Sequence, residues 1–130
     1  MKTELFYLAL TAVFTGLLWI PYVLDRFAVR GIGDTVGYPE NPKPQHPWAQ
    51  RLMKAHVNAV ENLVVFATLV LVASALGISG SQLATAAMLY FWARVAHAVV
   101  YALGLPWLRT LAFTAGFIAQ MWVAAMILTR

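Results

Sequence analysis

The chain has 130 residues, of which 62% are hydrophobic and 11% charged, whereas soluble domains run at roughly 45–50% apolar and 25% charged; a water-soluble fold of one-domain size is excluded. Net charge is +4, but the nine Lys and Arg are not gathered into a patch with interleaved aromatics, so no nucleic-acid partner is expected and the basic residues read as topology signals. Cysteine is absent, which removes disulfides, thiolate metal sites and a cysteine nucleophile, and no metal site is predicted.

From Leu5 to Leu24 the chain carries no charge. At ~1.5 Å rise per residue the run matches a hydrocarbon core about 30 Å thick, predicting a first transmembrane helix over about 3–27. It is of full span length and ends in Pro21 and the Asp25-Arg26 pair rather than at a small-residue cleavage site, so it is expected to be retained and not cleaved as a signal peptide. Glycines and then Pro39, Pro42, Pro44 and Pro47 predict one substantial loop over 31–47. A second helix, 48–77, starts near Trp48 and is broken by Gly77-Ile78-Ser79-Gly80-Ser81. It is longer than a bilayer is thick, so its first turns, with Arg51 and Lys54, project into water or headgroups. A third helix spans 82–103, and Gly104-Leu105-Pro106 separates it from a fourth over 106–129. The fold class is all-α: one integral membrane four-helix bundle over residues 1–130, with short links making its last three helices antiparallel neighbours.

Arg26, Arg30, Lys43, Arg51, Lys54 and Arg109 fall on one side, against Lys2 and Arg130 on the other. The positive-inside rule then places the 31–47 loop in the cytoplasm and both termini outside.

Two polar stripes enter the apolar spans. On the second helix Arg51, Lys54, Asn58, Glu61 and Asn62 fall within an arc of about 100°, with His56 well off it; on the third, Tyr90, Arg94, His97 and Tyr101 share one face. A central Arg or Glu opposes insertion by ~2.5–3.5 kcal/mol, so each needs a partner, and Glu61 with Arg94 is the natural pair. A salt bridge that only fixes packing is the plain alternative. Against it stands a surplus of cations: Arg26, Arg51, Lys54, Arg94 and Arg109 have only Asp25 and Glu61 to neutralise them, which points to an anionic ligand. Arg109 lies just inside the last helix after Pro106, where the helix dipole adds to its charge.

Arg51-Leu-Met-Lys54-Ala-His56-Val-Asn58-Ala-Val-Glu61, followed by Arg94-Val-Ala-His97-Ala-Val-Val-Tyr101 and Arg109-Thr110, resembles the MAPEG family of membrane-associated proteins in eicosanoid and glutathione metabolism, along essentially the whole chain. The resemblance implies a homotrimer of four-helix subunits that binds glutathione between adjacent subunits near the cytoplasmic side, and its bacterial branches imply an inner-membrane location. By motif position it implies that Lys54, Asn58 and Glu61 hold the glutathione peptide, with Arg51, Arg94, His97 and Tyr101 completing the pocket. An arginine at the end of the first helix, Arg26 or Arg30, is implied as a further contact, with Arg26 the better fit. Arg109 would sit beside the sulfur, lowering a thiol pKa that is ordinarily near 8.5, and Thr110 would donate a hydrogen bond to sulfur or substrate.

Lys54 departs from the Arg often found in relatives, replacing a bidentate clamp by a point charge. The implied activity is a glutathione-dependent transferase or peroxidase, its second substrate a lipophilic electrophile or hydroperoxide arriving from the bilayer. Two alternatives stay open: a non-catalytic glutathione- or lipid-binding membrane protein, and a small transporter. The transporter reading is the weaker, because the multidrug type resembles a four-helix dimer with an acid in helix 1 and none lies between Leu5 and Leu24.

Overall fold

The computed structural model describes residues 1–130 as five helical segments: α1 (Thr3–Leu17), α2 (Trp19–Val36), α3 (Pro47–Ala75), α4 (Ser81–Ala102) and α5 (Pro106–Leu128). The first two join into one of four stretches long and apolar enough to cross a membrane; α3, α4 and α5 are the others. The protein is a four-helix membrane bundle whose outer face carries exposed apolar side chains, among them Val64, Leu71, Leu111 and Ile118.

The first span differs from the unbroken helix expected over 3–27. It is interrupted at Leu18, whose N–H bonds Thr15 O three residues back at 3.3 Å. Pro21 explains the break: it has no N–H to give the carbonyl four residues earlier, that of Leu17, and its ring crowds that carbonyl. Beyond residue 27 the helix runs on to Arg30. Gly31 alone leaves helical geometry, at φ 76 and ψ 172, and the chain then makes one more turn to Val36, closed by Gly37 N–H to Gly33 O at 2.9 Å. The irregular connection therefore occupies 37–46, shorter than the loop expected over 31–47.

That connection is pinned by one carboxylate. Asp25, buried on α2, accepts from Gln45 Nε2 at 3.1 Å, from the His46 backbone N–H at 3.2 Å and from the His46 ring. Gln45 reaches further, donating to Tyr22 O at 2.6 Å and accepting from Arg26 Nε at 2.9 Å. Arg30 adds a bond to Lys43 O at 2.7 Å.

The two tight turns end in glycines with left-handed dihedrals, Gly77 (φ 74) and Gly104 (φ 76). After each the chain closes a Schellman pattern: Ile78 N–H to Ala73 O at 2.9 Å, and Leu105 N–H to Val100 O at 3.0 Å. Half of the most apolar stretch of α4 is buried, against 22% in each other span, and α4 packs on α1, α3 and α5. Its alanines, Ala86, Ala87, Ala93 and Ala98, are buried where neighbouring helices come close. At mid-depth Phe66 and Tyr90 stack with ring centroids 3.8 Å apart.

Candidate functional site

At the loop end of the bundle the apolar packing gives way to polar side chains from α3, α4 and α5. A cavity of about 300 Å³ is lined there by Asn58, His97, Tyr101, Arg109, Thr110 and Phe113, the lower end of the ~300–1,000 Å³ typical of ligand sites. The periodicity of α4 turns Tyr90, Arg94 and His97 inward, all buried, with Tyr101 half-buried at the mouth. On α5, Pro106 starts the helix and Arg109 follows one turn later, its guanidinium carbon 4.8 Å from the centre of the Tyr101 ring. The His97 ring stands edge-on to Tyr101, centroids 5.4 Å apart, with Phe113 beyond at 6.3 Å.

Asn58, His97, Tyr101, Arg109 and Thr110 are thus brought together, and Arg94 lies against them. The pairing of Glu61 with Arg94 expected from sequence is absent. Arg94 Nη2 donates instead to Asn58 Oδ1 at 2.6 Å, while Glu61 and Lys54 are exposed on α3. The reason lies in the width of the α3 stripe. Taking Asn58 as its centre, Arg51 and Asn62 lie ~20–40° to one side and Lys54 and Glu61 ~40–60° to the other. Only the first half, with Asn58, meets α4 and α5; the second half turns outward.

Arg51 lines an adjoining cavity of about 220 Å³ with Tyr101, Gly104, Leu105, Pro106 and Arg109. Its Nε donates to Ala102 O at 2.9 Å, one of the open carbonyls at the end of α4. Arg26 and Arg30 line a third cavity, with Pro44, Gln45, Gln50 and Met53, on the other side of α3. Thr110 Oγ donates to Pro106 O at 3.1 Å, so its proton is engaged within the helix and its lone pairs face outward as acceptors. His56, off the stripe as its spacing predicts, bonds the Tyr22 hydroxyl at 2.8 Å and ties α3 to α2.

No carboxylate lines the main cavity. Two of its cations are close by, Arg109 on the wall and Arg94 behind Asn58, and Arg94 satisfies only one of five donors on a neutral amide. Arg94 Nε, a donor, and His97 Nδ1, a donor or an acceptor according to tautomer, are buried without any partner in the protein, and a buried polar group left unmade costs about 1–3 kcal/mol. The site is therefore short of acceptors and of negative charge. It suits an anionic, acceptor-rich ligand.

Two contributors escaped the sequence reading. Phe113 carries no polar signal. Gln120 does, as the one amide in the apolar run from Ala115 to Leu128, where a polar residue in a span marks a partner. It is buried and donates to Asn62 O at 3.1 Å.

The model of the MAPEG family matches residues 5–129. Comparison with curated proteins finds no match.

Proposed function

The chain belongs to the MAPEG family, which makes it a glutathione- or eicosanoid-related membrane protein, and from that premise we propose a glutathione-dependent transferase or peroxidase acting on a lipophilic electrophile or hydroperoxide. The observation that carries the reading is the cation-rich cavity between α3, α4 and α5, lined without a carboxylate and backed by an arginine bonded only to an amide. Glutathione brings two carboxylates, two peptide carbonyls and a thiol, which answers both deficits.

In this reading Asn58, His97 and Tyr101 receive the peptide, Arg94 and Arg51 supply charge from behind and from the rim, and Arg109 stands beside the sulfur. A guanidinium there favours thiolate over thiol. With an alkylating substrate the thiolate forms the S–C bond while the bonding pair leaves with the departing group. With a hydroperoxide it attacks the outer oxygen, forming an S–O bond as the O–O bond breaks; the alkoxide takes a proton from water, and a second glutathione reduces the resulting sulfenic acid, giving glutathione disulfide and water. Thr110, whose proton is held by Pro106 O, accepts from substrate or water rather than donating to sulfur. Lys54, Glu61 and Arg26 do not line this cavity; they join the site from the neighbouring copy in a homotrimer, the arrangement the family resemblance implies. The reading places the loop of 37–46 in the cytoplasm, where glutathione is supplied, and the termini outside.

Thermal unfolding of the purified protein with and without glutathione tests the ligand, since a molecule that binds only the native state raises apparent stability. A rise saturating at millimolar glutathione is expected; no rise at any concentration sinks the reading. The thiolate absorbance of bound glutathione tests the chemistry. Arg109→Ala should abolish it at neutral pH, and an unchanged signal removes Arg109 from that role.

A further inference from the structure

We propose that Asn62 and Gln120, which do not line the cavity, are positioning residues that fix Asn58 as a hydrogen-bond donor to the ligand. The proposal deepens the glutathione reading and rests on it for the identity of the ligand, but the hydrogen-bond logic is its own.

Each amide in the chain is oriented by a partner that leaves no choice. Arg94 has only donors, so the Asn58 atom it meets at 2.6 Å is the oxygen. Asn62 meets the Asn58 backbone carbonyl at 2.9 Å, so the atom it presents is the nitrogen, and that nitrogen also lies 3.3 Å from Asn58 Oδ1. Gln120 meets the Asn62 backbone carbonyl at 3.1 Å, so it too presents nitrogen, with Asn62 Oδ1 at 3.5 Å. Both lone-pair directions of Asn58 Oδ1 are then occupied from the protein side. Its Nδ2 has no acceptor in the protein, and Asn58 lies on the cavity wall. The two N–H groups of Asn58 are what the ligand meets, and the matching ligand atom is an acceptor: a peptide carbonyl or carboxylate oxygen.

Gln120 is the distant end of this chain. It is the polar link between α5 and α3, buried at a depth where water does not compete. Without it the Asn62 carboxamide loses its contact to α5 and keeps only its bond to the Asn58 carbonyl. The 3.3 Å contact from Asn62 to Asn58 Oδ1 is then weakened, leaving Arg94 as the one firm partner that orients the Asn58 amide.

A double-mutant cycle on Gln120→Met and Asn58→Leu, two side chains with no direct bond, tests this in the full-length protein in detergent. The first readout is ligand-free melting: the relay predicts that the loss from Gln120→Met is clearly smaller in the Asn58→Leu background, and strict additivity overturns it. The second is glutathione affinity. Gln120→Met should weaken it about 5–10-fold with Asn58 present and less than about 2-fold in the Asn58→Leu background. Full affinity in Gln120→Met, or an equal loss in both backgrounds, overturns the positioning role. A wild-type protein that ignores glutathione sinks the functional reading and the positioning of that ligand with it, while the ligand-free cycle still decides whether the relay exists.

Discussion

Two polar clusters at the loop end of this protein invert each other. Around Asp25 a single buried carboxylate is saturated: Gln45, the His46 backbone and the His46 ring all donate to it, and Gln45 passes the bond on to Arg26. Around Arg94 a buried cation is left nearly bare, holding one amide oxygen while its Nε and the neighbouring His97 Nδ1 bond nothing. A saturated charge fixes structure, because every group that meets it is lost if it goes. A bare one costs stability, and in the proposed function the ligand supplies what it lacks.

The contrast breaks most sharply at Asp25. Asp25→Ala removes the acceptor shared by Gln45, the His46 backbone and the His46 ring and loosens the 37–46 connection, which keeps its bonds to Tyr22, Arg26 and Arg30; it should lower unfolding stability by about 2 kcal/mol, read as a lower midpoint in denaturant titration of the detergent-solubilised protein. Arg94→Met should do the reverse. Removing a poorly paired buried charge is neutral or mildly stabilising to the fold, while glutathione affinity falls about 100-fold, the scale of a lost charge-assisted contact. If instead Arg94→Met unfolds the protein and Asp25→Ala does not, the roles assigned to the two clusters are exchanged.

Smaller changes sharpen the boundary between them. Gly104 holds a left-handed conformation, and a Cβ there would come within 3.2 Å of Arg51 Cζ. Gly104→Ala should cost about 1 kcal/mol and, by displacing Arg51 from the end of α4, weaken anion binding as well; a stability loss with unchanged affinity would remove Arg51 from the site. The least effect is expected at Thr110. Its proton is engaged by Pro106 O, so Thr110→Val should leave glutathione affinity within about 2-fold, and a large drop would restore the hydroxyl as a donor to the ligand.

Much of the site was legible because helical periodicity is a local property. Tyr90, Arg94, His97 and Tyr101 share a face of α4 by spacing alone, and the lone charges in apolar runs announced themselves by their cost. The partner of Arg94 was not legible. Spacing placed Asn58 and Glu61 in one arc, and charge favoured Glu61; a rotation of α3 by a few tens of degrees decided for Asn58. Gln120 was equally hidden, since its meaning depends on Asn62, 58 positions away.

By itself the sequence determined that this chain lives in a membrane, in four spans, with its charge concentrated at one end, because hydrophobicity and helix period need no neighbours to act. Pro21 and Gly31 also carried their interruptions in the residue itself, a missing N–H and a permitted positive φ. Only the tertiary structure decided which half of the α3 stripe faces inward, that Asp25 is satisfied while Arg94 is not, and that a glutamine on α5 bonds Asn62 on α3. Those are matters of how helices are rotated against one another. A wide polar arc leaves that angle undetermined until the helices pack.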